Sequence, residues 1–135
     1  MPDSPQRPLT VTSLLTLFLF TLHWADEISR GIEPGTMAAI WGFVILFVWL
    51  YATIAIGERR LGIVLQFLFC LLGGAVPILH MQHAGWVGGR IAPNSPGALF
   101  WVWTMIAMGL CGMISAALAV RVLWNMPRAS KAANR

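Results

Sequence analysis

The sequence predicts an all-α integral membrane protein, an antiparallel bundle of four transmembrane helices. Of its 135 residues, 58% are hydrophobic and only 10% are charged, whereas soluble domains average about 25% charged residues. Four stretches are apolar over the roughly 20 residues that a helix needs to cross a bilayer. The basic residues lie at the ends of these stretches and form no single basic face. The net charge of +4 therefore does not indicate a nucleic-acid partner.

The four predicted spans follow one another within a single domain, residues 1–135. Pro8 suits the first turn of the first helix, and Gly31 suits its C-terminal cap. The link between the second and third spans, at residues 57–60, is very short, which predicts a helical hairpin. The Gly- and Pro-rich residues 84–97 form the longest loop, and residues 128–135 are expected to be a disordered tail. The predicted spans cover residues 9–29, 36–57, 61–80 and 98–124.

The distribution of Lys and Arg predicts the orientation of these spans. Arg30 and Arg90 lie on one side of the membrane, and all other basic residues lie on the opposite side. Because cytoplasmic loops carry the excess of Lys and Arg, both termini are expected to be cytoplasmic. We expect the protein to lie among the lipids of a bacterial inner (plasma) membrane. The basic residues on the cytoplasmic side are Arg7, Arg59, Arg60, Arg121, Arg128, Lys131 and Arg135.

Histidines and carboxylates gather at the outward ends of the first and third spans. His23, Asp26 and Glu27 share one face of a helix because they are spaced i, i+3 and i+4. His80 and His83 close the third span on the same side of the membrane. Ionisable groups within a span are costly unless they face the bundle, where they often serve a function. The sequence therefore predicts a metal site with these histidines as ligands and Glu27 or Asp26 as a further ligand or general base.

Nitrogen and carboxylate ligands suit zinc, copper or non-haem iron. A haem held by two histidines is a lesser alternative. Because short metal motifs such as HExxH are absent from the sequence, the prediction depends on residues that are distant in the chain. A metal-dependent reaction on a lipid-soluble or periplasmic substrate would extend this hypothesis.

Aromatic and charged residues near the same membrane face could line a substrate site. The tryptophans at span ends are typical of an interfacial aromatic belt. In the alternative interpretation, some of these tryptophans surround the His/carboxylate cluster and form the wall of a substrate site. The residues predicted to line it are Trp24, Glu33, Trp86, Arg90 and Trp101.

A different class of protein remains compatible with the sequence. The cluster could be a structural or ligand-binding network in a non-catalytic membrane subunit, or in a carrier of small solutes or cations. Small residues form a stripe along the fourth span, which favours close helix packing. Their partner is either another span of the same chain or a second copy in a homo-oligomer. These small residues are Gly109, Gly112, Ser115, Ala116 and Ala119.

Overall fold

The computed structural model describes residues 6–32, 37–81, 91–92 and 94–126. Within this part of the chain all regular structure is helical and no strand occurs, which confirms the predicted all-α class. The four helices are α1 (Gln6–Ser29), α2 (Met37–Ile54), α3 (Arg60–Met81) and α4 (Ala98–Asn125).

Three of the helices are long and apolar enough to cross a membrane, namely α1, α3 and α4. The apolar part of α2 is shorter and covers Ala39–Ile54. The predicted second span extended to residue 57, but the chain turns after Ile54. Gly62 explains the tightness of this turn, because a side chain there would collide with the carbonyl oxygen of Ile56.

Apolar side chains close the bundle at the end where the chain enters α1. Leu9 in the first turns of α1 packs with Ile63 near the start of α3. Ala119 and Val122, close to the end of α4, complete this cluster. The start of α1 therefore lies beside the start of α3 and the end of α4.

A buried polar layer lies next along the bundle and is centred on Ser13. Thr53 donates its only hydroxyl proton to the carbonyl of Trp49 at 2.9 Å. Ser13 must therefore be the donor in its 3.1 Å hydrogen bond with the Thr53 hydroxyl. The indole N–H of Trp49 donates to Ser13 Oγ at 3.0 Å, and the thiol of Cys70 lies 3.8 Å from the same oxygen. Ser13 thus connects α1 with α2 and α3.

The stripe of small residues on α4 packs against α3 of the same chain. A Cβ atom added at Gly112 would lie 2.6 Å from the carbonyl oxygen of Cys70 and 2.7 Å from the amide nitrogen of Gly74. At Gly109 it would lie 2.6 Å from the ring of Pro77. Close approach of the two backbones therefore requires glycine. A homo-oligomer through the fourth span stays a prediction.

Arg30 joins the end of α1 to the segment that precedes α4. Its Nε donates to Asp26 Oδ2 at 2.8 Å, and its Nη2 donates to the carbonyl oxygen of Pro96 at 2.9 Å. Gly97 adopts a φ of 74°, and a Cβ atom there would approach the Arg30 guanidinium to 2.6 Å. These contacts position the first turns of α4 beside the last turns of α1.

Candidate metal centre

Three side chains from two helices converge near the last turns of α1. His23 and Glu27 lie one turn apart on α1, and His80 lies in the last turn of α3. Glu27 Oε1 is 3.7 Å from His23 Nε2 and 3.0 Å from His80 Nε2. One ligand atom from each residue lies within 4.8 Å of the other two. We call these three residues the His–Glu triad.

The His–Glu triad is buried although it consists of ionisable side chains. His23 is 3% exposed and Glu27 is 5% exposed. His80 is partly buried. Ionisable groups are rarely buried unless they are paired or coordinate a metal, so the triad requires a specific explanation.

The hydrogen-bond network assigns the tautomer of His23. The hydroxyl of Thr104 lies 3.0 Å from the carbonyl oxygens of both Phe100 and Trp101, so its single proton points to the α4 backbone. Thr104 Oγ1 lies 3.1 Å from His23 Nδ1 and can therefore only accept from it. His23 consequently carries a proton on Nδ1, and in the neutral ring its Nε2 holds a lone pair.

His80 is oriented in a similar way by the backbone of its own helix. Its Nδ1 lies 3.0 Å from the carbonyl oxygen of Val76, which can only accept a hydrogen bond. Nδ1 of His80 is therefore protonated, and Nε2 is the nitrogen that faces Glu27. Histidine ligands of metals characteristically donate their second ring N–H to a carbonyl or a similar acceptor. Both histidines meet this condition.

Two separations within the triad are close to those around a small metal ion. Two ligand atoms, each about 2.0 Å from a tetrahedral zinc, are about 3.3 Å apart. The observed separations from Glu27 Oε1 to the two Nε2 atoms, 3.0 and 3.7 Å, lie on either side of that value. Nε2 of His23 is buried and has no hydrogen-bond partner among the described residues. Such an unsatisfied buried nitrogen is costly, and a metal ion bound at the triad would satisfy it.

Trp101 forms an apolar wall beside both histidines. Its ring centroid is 5.1 Å from that of His23 and 5.9 Å from that of His80. The side chain is fully buried, and its Nε1 has no acceptor among the described residues. It packs with Val76, Met105 and Met108, so the environment behind the triad is apolar.

Asp26 and Trp24, which were also predicted as site residues, contact other partners. Asp26 is bound to Arg30 through the 2.8 Å ion pair. The ring of Trp24 contacts Phe43 at a centroid distance of 4.9 Å and therefore faces α2. His83, Glu33, Trp86 and Arg90, which were also predicted, lie outside the described residues.

Two groups that orient the histidines were not predicted from the sequence. Thr104 is a polar residue in the first two turns of an apolar helix, and its position alone could have indicated a partner for His23. The carbonyl of Val76 gives no signal in the sequence, because any residue at that position presents the same group.

A cavity elsewhere among the described residues contains no triad residue. It has a volume of about 830 Å³ and is formed by the start of α1 and the turn between α2 and α3. Its charged residues, Arg7, Glu58 and Arg59, are exposed. The triad is the stronger candidate site because its polar atoms are buried and convergent.

Two imidazole nitrogens and one carboxylate oxygen are suitable ligands for a transition metal, and three protein ligands leave a coordination position for water or substrate. Comparison of the chain with known protein families, with curated proteins and with solved structures finds no match.

Proposed function

We propose that this protein is an integral membrane protein that binds one divalent transition-metal ion at His23, Glu27 and His80. The observation that carries this proposal is the convergence of two imidazole Nε2 atoms on one buried carboxylate oxygen. Both rings are fixed by their Nδ1 contacts, at 3.1 Å for His23 and 3.0 Å for His80. The triad is therefore preorganised for a metal.

The helices support insertion into a membrane as four spans with both termini on the cytoplasmic side. Three helices have the necessary length and hydropathy, and α2 is apolar over Ala39–Ile54. Large apolar side chains cover the outside of the bundle, as lipid contact would require. Exposed examples from all four helices are Phe18, Phe47, Leu68, Leu110 and Met113.

The set of ligands narrows the choice of metal. Two histidines and one carboxylate occur in catalytic zinc sites and in non-haem iron sites, and imidazole also suits copper. A metal ion is favoured over haem, because the rings of His23 and His80 meet edge-on at 5.5 Å. The Glu27 carboxylate lies close to both Nε2 atoms. It therefore occupies the space that the porphyrin of a bis-histidine haem would need.

Metal analysis of the full-length chain in detergent tests this proposal. The protein is loaded with Zn²⁺, Cu²⁺ or Fe²⁺, desalted and analysed for bound metal, and an absorbance spectrum of the untreated sample tests for haem. About one metal ion per chain is expected in the wild type. His23→Gln, His80→Gln and Glu27→Gln should lose it.

Asp26→Asn is the matched control, because Asp26 is the neighbouring carboxylate and binds Arg30. This variant should retain the metal. Folding of each variant is checked by helical circular dichroism and gel filtration. A folded wild type that binds none of the three metals would overturn the proposal.

A structural network is the second candidate, and one distance favours it. The 3.0 Å separation of His80 Nε2 and Glu27 Oε1 suits a direct hydrogen bond. Since His80 Nδ1 is already protonated, a second proton would have to lie between the two residues. This network leaves His23 Nε2 without a partner, whereas a metal ion satisfies all three atoms. Metal-free protein whose stability falls in Glu27→Gln would support the network.

A further inference from the structure

Trp101 is the buried aromatic side chain beside the triad. The ring of Trp101 contacts both imidazoles of the triad, at centroid distances of 5.1 and 5.9 Å. Trp101 is fully buried, and its Nε1–H has no acceptor among the described residues. A buried donor without an acceptor is costly, which indicates that a ligand absent from the structure accepts this hydrogen bond.

The chemistry of the surroundings restricts that ligand. An indole N–H can only donate, so the ligand must present a lone pair toward it. A divalent metal favours an anionic or strongly polarised donor atom in its open position. Met105, Met108 and Val76 pack around Trp101 and offer no charged group. Because Trp101 and His23 are buried, the ligand must be small.

From these observations we infer that the metal centre takes a small monodentate anion as its exogenous ligand, held by the metal and by a hydrogen bond from Trp101 Nε1–H. This inference depends on the proposed metal site. Metal-bound hydroxide and small inorganic anions belong to this ligand class. Binding is a simple exchange in which the anion replaces a metal-bound water molecule. Trp101 thus acts as a positioning residue for the ligand of the metal.

Azide binding to the cobalt-loaded protein tests the inference. Co²⁺ replaces the native metal, because its visible absorption reports the coordination sphere. Azide is titrated into full-length protein in detergent, and the change in the spectrum yields the Kd. We expect saturable binding to the wild type and a Kd about tenfold or more higher in Trp101→Phe. Cobalt content should be the same in both proteins.

Trp103→Phe is the matched control, because Trp103 lies two residues further along α4 and is 62% exposed. Its azide Kd should equal that of the wild type. If Trp101→Phe does not fold, the zinc-loaded wild type supplies a second readout. The indole ¹H–¹⁵N resonance of Trp101 should then shift on addition of azide, while that of Trp103 stays in place.

The outcomes separate this inference from the proposal on which it depends. Protein that binds cobalt but gives no azide response overturns the inference and leaves the metal site intact. An equal azide Kd in Trp101→Phe and wild type also overturns it, because the hydrogen bond would then contribute nothing. Protein that binds no cobalt, zinc, copper or iron overturns the metal site and the inference together.

Discussion

Glu27 Oε1 lies 3.0 Å from His80 Nε2, although 53 positions separate the two residues in the chain. The contact joins the last turns of α1 and α3 and places a carboxylate between two imidazoles. Since Asp26 is bound to Arg30, the two neighbouring acids of α1 have different surroundings. This difference provides a direct test of the proposed site.

Glu27→Gln should lower metal affinity by about tenfold or more, because it replaces the anionic oxygen with a neutral amide of the same shape. Competition with a chromogenic chelator measures the affinity. Asp26→Asn should leave the affinity unchanged. Equal affinity in wild type and Glu27→Gln would show that Glu27 is not a ligand.

Thr104→Val should weaken metal binding without removing a ligand. The substitution keeps the β-branched shape but deprives His23 Nδ1 of its acceptor at 3.1 Å. Loss of such an orienting partner lowers metal affinity by about 10–100-fold. Thr21→Val serves as a control, because the Thr21 hydroxyl contacts only the carbonyl of Leu17 among the hydrogen bonds described. Unchanged affinity in Thr104→Val would contradict the assigned tautomer.

Ser13→Ala should destabilise the bundle at the end distant from the triad. The substitution removes the acceptor of the Trp49 indole N–H, which is held at 3.0 Å in a fully buried side chain. An unsatisfied buried donor costs about 1–3 kcal/mol. The measurement is the unfolding midpoint in a titration with SDS, with exposed Ser29→Ala as the control. The metal affinity of Ser13→Ala should equal that of the wild type.

Gly112→Ala should destabilise the protein more than Gly42→Ala. The new methyl group at residue 112 meets backbone atoms of Cys70 and Gly74 on α3, at 2.6 and 2.7 Å. Overpacking of this kind costs about 1–3 kcal/mol. At residue 42 the methyl group meets the outer edge of the Trp24 ring, which can turn away. Similar SDS unfolding midpoints for the two variants would contradict the close approach of α3 and α4.

Labelling of single cysteines tests the proposed membrane orientation. Cys70 and Cys111 are free thiols and are first replaced by alanine. In intact cells an impermeant maleimide should label Ser29→Cys and should leave Arg59→Cys unlabelled until the membrane is permeabilised. Both positions are exposed in the structure. The reverse labelling pattern would invert the topology.

The helices and the gathering of His23, His80 and an acid of α1 at one end of the bundle could be predicted from sequence, because both follow from residue counts along the chain. Span length follows from hydropathy, and depth follows from a rise of about 1.5 Å per residue. The choice between Asp26 and Glu27 could not be predicted. On a helix they lie about 60° and about 40° to opposite sides of His23. The position of α3 around α1 decides which acid meets His80.

The tautomers of the histidines could not be predicted for a similar reason. That of His23 depends on Thr104, which is 81 residues away. That of His80 depends on a backbone carbonyl, which every residue offers. The end of α2 at Ile54 was also missed, because it is set by the approach of Gly62 to the Ile56 carbonyl. The contacts of His23 with Thr104 and of Gly62 with Ile56 join different segments, so no pattern within one segment predicts them.

The packing of Leu17, Trp49, Cys70 and Ala116 affects whether an ion could pass along the bundle. These buried side chains form one apolar cluster across all four helices, between the His–Glu triad and the polar and apolar contacts at the opposite end of the bundle. An ion at the triad would have to cross this cluster to reach the other membrane face. In a membrane, a metal bound as proposed would therefore exchange from one side, and the centre would equilibrate with a single compartment.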